Sequence, residues 1–330
     1  MLVYLILIFV ILLLSKSKMR YGVEIAFIFA FTILAFRGLE VGTDTDNYTK
    51  NFRDLFDGNY TPKRIEFLWY GLIYFFTFYI DSYRLFIIVV SFFTLLPLYI
   101  VSTRFILNKP LQLLLFYILL YFFFNSMNIM RQGLAMTWGL LLFLFYGKKK
   151  VYYFLILIPM MIHSSSIILL MLPFLRRLRL NKILCVIISL VTFTFGSSNY
   201  LVDLIGAVVL KIDSFSMYSN EYYIGSSFSL TRLLLNIFFI YLIYVAKEIN
   251  EYMKIVFVGI CILNLFSFNP YIARMAQYFL LFQIILYPNI DNICKKRQIK
   301  NVVWTYSFVV FAFLLGMNVA EIIPYYFSFD

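Results

Sequence analysis

The chain is predicted to be an all-α, polytopic integral membrane protein of about ten transmembrane helices plus short re-entrant or interfacial helices. Three observations predict it. The 330 residues are 63% hydrophobic and 13% charged, against about 45–50% and about 25% in soluble domains. Apolar runs recur at lengths near the roughly 20 residues that cross a bilayer core. Basic residues gather in the short loops between those runs, as membrane orientation requires. Aromatic residues make up 21% of the chain, which suits rings facing lipid and the headgroup zone. The net charge of +12 is too dispersed for a nucleic-acid surface.

The apolar runs define spans at 2–15, 21–36, 85–103, 110–124, 131–147, 183–199, 230–246, 253–268, 273–289 and 302–322. The first has no basic start and no small-residue cleavage site, so it reads as a retained helix rather than a signal peptide. Residues 66–80 carry Glu66 and are followed by Asp81 and Arg84; residues 151–175 carry Pro159, His163 and Pro173. Neither behaves as a plain span. Lys16, Lys18 and Arg20 place the first loop inside. The clusters Arg104 with Lys109, Lys148 to Lys150, Arg176 to Lys182, Lys247 with Lys254, and Lys295 to Lys300 join it only if 66–80 lies at the outer surface or re-enters and 151–175 dips in and returns to the same side. The result is one transmembrane domain over 1–330, with both termini extracytoplasmic and outer loops at 37–65 and 200–229. Apolar residues at helical spacing in the second loop (Leu201, Leu204, Ile205, Val208, Val209) predict an interfacial amphipathic helix. Cys185, Cys261 and Cys294 form no CxxC and no paired framework.

Four polar clusters interrupt the apolar chain, and this topology turns all four outward: Arg37 to Tyr48, Asn125 to Gln132, His163 to Ser166, and Asn269 to Arg274. Ionisable groups at membrane depth are costly and usually functional. In the first cluster, Asp44 and Asp46 are candidate general bases toward a sugar hydroxyl, and Tyr48 a stacking ring. Asp44-x-Asp46 also resembles a divalent-metal clamp; the plainer reading is a solvated loop capping a helix. Glu66 is either a helix cap or a second acid/base. Arg131, with Gln132, opens an apolar helix at the end where positive charge is disfavoured. An anionic ligand would resolve that conflict, since arginine forks match phosphate oxygens; snorkelling to headgroups is the plainer account. Arg274 opens a helix in the same way. His163 is the sole histidine, at the turn of a segment that has to re-enter. Three arginines, the carboxylates and one histidine on one face suit a diphosphate leaving group and a hydroxyl nucleophile. No GxSxG elbow, Walker loop or GxGxxG is present.

These pieces resemble the EpsG family, a branch of the Wzy-type polysaccharide polymerases. The resemblance lies in Arg37-Gly38 through Gly42-Thr43-Asp44-Thr45-Asp46-Asn47-Tyr48, Glu66, Arg131-Gln132-Gly133-Leu134-Ala135, His163-Ser164-Ser165, and Ala273-Arg274 followed by Tyr278-Phe279. It departs at Phe67-Leu68, where a small or proline-containing stretch is expected. The resemblance implies a multi-pass polymerase in the bacterial inner membrane that builds O-antigen, capsular or exopolysaccharide. Such enzymes pass a growing glycan from undecaprenyl diphosphate to a new lipid-linked repeat unit. No cofactor is expected unless a divalent metal sits at Asp44 and Asp46. The expected partners are the undecaprenyl-diphosphate-linked oligosaccharide, the lipid bilayer and a chain-length regulator, with no nucleic acid. Arg131 and Arg274, joined by Arg37, are expected to hold the diphosphate; Asp44 or Asp46 to take the acceptor proton; and His163 and Glu66 to position sugars or share acid/base work. The rival readings are a lipid-linked oligosaccharide flippase and, further off, a membrane acyltransferase with His163 as base.

Overall fold

The computed structural model describes residues 1–17, 19–58, 66–198, 229–294 and 298–328. In chain order these form α1 (Leu2–Lys16), α2 (Gly22–Ala35), α3 (Thr45–Phe56), α4 (Phe67–Phe75), α5 (Tyr83–Phe105), α6 (Pro110–Leu119), α7 (Phe122–Asn128), α8 (Met130–Tyr146), α9 (Tyr152–Leu155), α10 (Leu157–Ile162), α11 (Leu172–Leu175), α12 (Lys182–Gly196), α13 (Leu230–Val245) and α14 (Glu251–Leu265). A series of short turns from Pro270–Ala273 to Ile290–Ile293 follows, and then α15 (Ile299–Gly316). Only two isolated β-bridges interrupt this helical fold among the described residues. The amphipathic helix expected in 200–229 lies outside the described residues, Ser229 apart.

Most expected spans coincide with helices, but the expected count is not reached. By length and apolarity, α5 and α15 are long enough to cross a membrane, and α6 with α7 makes a third if that bent pair is one span. The helices α1, α2, α8, α12, α13 and α14 have between 14 and 17 residues. At about 1.5 Å per residue they reach roughly 21–26 Å, short of a ~30 Å core. The expected span 273–289 takes a helical path over Arg274–Leu286, too short to cross a membrane core by itself, in which 3₁₀ and α turns alternate. Large apolar side chains such as Phe9, Ile28, Phe92, Ile183 and Tyr244 stay exposed on the helices, as lipid contact requires.

Contacts divide the chain into two compact units, Met1–Leu170 with Trp304–Asp330, and Met171–Val303. In the first, α5 packs against α2 and α8, α1 against α2 and α6, and α10 against α8 and α4. Pro97 lies inside α5 and offers no N–H to the carbonyl four residues back. The Trp138 indole fills that vacancy, donating to the Phe93 carbonyl at 3.1 Å. Between α6 and α7 the chain bends by 60°, with Tyr121 left-handed at φ 71. Residues 151–175 fold back on themselves: the Tyr152 hydroxyl donates to the Leu169 carbonyl at 2.8 Å, and His163 occupies the turn.

In the second unit α12, α13 and α14 pack on one another around buried Ser189, Asn236 and Asn264. The two asparagine amides exchange hydrogen bonds of 2.9 Å in both directions. Arg176, ahead of α12, pairs with Glu251 at 2.6 Å. Cys185, Cys261 and Cys294 are free thiols.

Candidate active site

One buried carboxylate of the first unit gathers an arginine, the histidine and a serine. Glu66 precedes α4 but makes no side-chain cap, so the helix-cap reading is not what the geometry holds. Its oxygens accept from three other places instead. Arg131 Nη1 donates to Oε2 at 2.6 Å. At Oε1 stand His163 Nδ1 at 3.0 Å, the Ser164 N–H at 3.1 Å and the Ser164 hydroxyl at 3.2 Å. Local structure aims each donor. Arg131 is the second residue of α8. His163 ends α10 in an extended conformation (φ −150, ψ 117), which turns the Ser164 N–H and the imidazole toward the same oxygen.

Side-chain exposure is 6% for Glu66, 17% for His163 and 30% for Arg131. Burial alone would raise the Glu66 pKa; the His163 hydrogen bond, the Arg131 charge and the Ser164 N–H outweigh it and bring it down to about 2. The carboxylate is therefore ionised at any physiological pH and accepts only. Nδ1 of His163 accordingly carries the proton. Nε2 has no hydrogen-bond partner among the described residues and is not sealed from solvent.

Aromatic rings wall the other side. The Arg131 guanidinium lies 5.8 Å from the Tyr48 ring centroid. Tyr48 meets Trp69 edge-on at 5.7 Å, and Trp69 meets Phe86 at 5.3 Å. Tyr48 and Trp69 are both buried, so the ring expected to stack on a sugar is occupied with Arg131 and Trp69.

The loop carrying Arg37 and Asp44 is held differently. The Arg37 side chain is fully buried and donates to the carbonyls of Leu34 at 2.5 Å and Met127 at 3.1 Å. Its own carbonyl accepts from Arg84 at 2.8 Å. It braces the fold from inside. Gly42 has φ +108, and a Cβ there would stand 2.3 Å from Asn128 Oδ1, so this turn admits only glycine. The C-terminal tail straps the loop down. Arg37 bridges to Phe327, the Gly38 N–H donates to Tyr326, the Gly42 N–H to Glu321, and Asn128 to the Ala320 carbonyl.

Of the expected site residues, Glu66, His163, Arg131 and Tyr48 come together. Gln132 is buried beside them on α8. Asp44 is half-buried ahead of α3 without capping it through its side chain, and Asp46 is exposed in its first turn. Among the described residues no three of His, Cys, Asp and Glu gather as a metal cluster. Arg274 lies in the second unit, half-buried in the turn Arg274–Ala276. The anion expected beside Arg131 is present inside the chain as Glu66. Ser164 as a double donor and the tail were not singled out from sequence; the Ser-rich turn after His163 is the signal that pointed nearest.

Comparison with known proteins adds one finding. The model described as the EpsG family matches residues 20–327. No curated protein and no solved structure matches the chain.

Proposed function

The chain belongs to the EpsG family, a Wzy-like polysaccharide polymerase family, and we propose that it polymerises a bacterial surface polysaccharide at the extracytoplasmic face of the inner membrane. The growing glycan leaves undecaprenyl diphosphate and is joined to a hydroxyl of a lipid-linked repeat unit. The sugar–diphosphate bond supplies the driving force, so no nucleotide takes part.

One observation carries this reading: Arg131, Glu66 and the sole histidine meet at the start of α8, while Lys148 to Lys150 follow that helix at its other end. The 17 residues of α8 separate the two by about 25 Å. Basic loops stay inside, so the cluster faces out, where lipid-linked units are displayed. Arg131 keeps donors beyond those given to Glu66 and Tyr48, since a guanidinium has five. It is placed to steady charge that develops on a departing diphosphate. Arg274, expected to share that role, belongs to the second unit. Asp44 and Asp46, on the loop ahead of and into α3, are the carboxylates nearest in sequence to Tyr48 and face the acceptor side in this reading. Both termini fall outside by the same logic: the Tyr4 hydroxyl donates to the Ile322 carbonyl, and Asn128 just before α8 donates to Ala320.

Replacing Arg131 by alanine in a strain lacking the native copy is expected to collapse the surface-glycan ladder on a gel to single repeat units. Removing Arg131 leaves the buried Glu66 carboxylate short of a partner, so membrane abundance has to be matched, and Arg131→Lys serves as the charge-retaining control. A full-length ladder from matched Arg131→Ala protein removes Arg131 from the reaction. Exported single units distinguish a lost polymerase from a lost flippase, which would trap units on the inner leaflet.

A further inference from the structure

We infer that Nε2 of His163 is the base that takes the acceptor hydroxyl's proton, and that Glu66 is the positioning residue that fixes the imidazole for it. This rests on the polymerase reading and narrows it. The two oxygens of Glu66 already take four donors: His163 Nδ1, the Ser164 N–H, the Ser164 hydroxyl and Arg131. A carboxylate so engaged is a poor proton acceptor. It holds one tautomer instead, with the proton on Nδ1 and the lone pair on Nε2. Ser164 adjoins His163 in sequence and donates twice to the same oxygen, so ring and carboxylate are locked by one turn. Nε2 is the ring nitrogen left open, and the side chain keeps 17% of its surface. Asp46 is exposed and strongly hydrated, which makes it the weaker candidate.

The step balances without a co-reactant. The acceptor O–H bond breaks and its proton passes to Nε2. The freed oxygen forms the bond to the anomeric carbon of the donor glycan. The bond from that carbon to the diphosphate oxygen breaks, and its electron pair leaves with the polyprenyl diphosphate. The imidazolium, steadied by Glu66, then returns its proton to water.

The test uses the full chain, purified without a polyhistidine tag and reconstituted with lipid-linked repeat units. A ladder from the unmodified protein is the first readout, and its absence overturns the polymerase reading itself. Given a ladder, diethylpyrocarbonate reports on the chain's single histidine when the absorbance rise of carbethoxyimidazole is followed separately from the absorbance fall of acylated tyrosine. One carbethoxylated imidazole per chain is expected to abolish elongation, and hydroxylamine to restore it. In variants, His163→Ala is expected to lower kcat by about 10²–10⁴-fold with KM nearly unchanged, and added imidazole to recover part of the loss. Glu66→Gln is expected to lower kcat less, and to add nothing in the His163→Ala background. Full elongation by the carbethoxylated protein overturns the inference and leaves the polymerase standing, as does a His163→Ala loss confined to KM. The reagent acts on the native fold, so it decides the matter even if the alanine variant does not fold.

Discussion

Glu66 shows how one buried carboxylate organises residues far apart in the chain: Arg131 is 65 positions away and His163 97. Each residue type was legible as chemistry, because charge in an apolar chain is conspicuous. Their pairing was not, because nothing in a local pattern says which distant turn supplies a partner. Arg37 illustrates the opposite failure. It stood out as a ligand-binding cation, yet its guanidinium is spent on the carbonyls of Leu34 and Met127, a use that only the fold reveals. The Glu66 cluster has a pH signature. Its carboxyl is depressed from 4.5 to about 2 in the folded chain. A depressed pKa adds stability that is fully present above the unfolded value and is lost as pH falls through the folded one. That contribution is on the order of 3 kcal/mol. Wild-type protein in detergent is therefore expected to melt above Glu66→Gln at pH 7, and the gap to close between about pH 4.5 and about pH 2. A gap independent of pH would mean that the ionised carboxylate is not what holds the cluster.

Among the helices, the apolar runs placed α1, α2, α5, α8 and α12 to α15 closely, since burial in lipid writes itself directly into composition. The breaks were harder to see. Tyr121 bends α6 from α7 with a bulky left-handed residue, and no glycine or proline marks the place. The hairpin at His163 was legible because two prolines and a lone histidine sit in an apolar stretch too long to be a loop. Close helix contact leaves its own trace. A Cβ on Gly196 would stand 1.7 Å from the backbone oxygen of Asn264, so α12 approaches α14 at van der Waals distance only because that side chain is absent. Backbone cannot rotate aside as a side chain does. Gly196→Ala is expected to destabilise the second unit by about 1–3 kcal/mol or more, read as a lower melting temperature and faster proteolysis in detergent. Unchanged melting would mean that the two helices pack further apart.

For the whole molecule the decisive quantity is sidedness, which the sequence addresses through its basic residues alone. The fold adds an independent constraint within the first unit. Residues 4 and 322, 37 and 327, and 128 and 320 are joined by hydrogen bonds or a bridge, so the start of α1, the end of α2, the start of α8 and the C-terminal tail share one end. The tail left no trace in composition: residues 320–328 are a short mixture of apolar, aromatic and polar side chains with no periodicity, and their value lies in backbone groups that pair with the loop from 37 to 43. Lys148 to Lys150 stand at the far end of α8. Single cysteines at Thr43, Tyr326 and Lys149, placed in a background lacking Cys185, Cys261 and Cys294, test this arrangement. All three positions are exposed. A membrane-impermeant maleimide is expected to label the first two on intact cells or spheroplasts and the third only after the membrane is opened. Labelling of 43 and 326 from opposite sides would break the strap between tail and loop. Labelling of 149 from outside would invert α8, turn Arg131 and His163 toward the cytoplasm, and remove the cluster from the leaflet where the polymerase reading requires it.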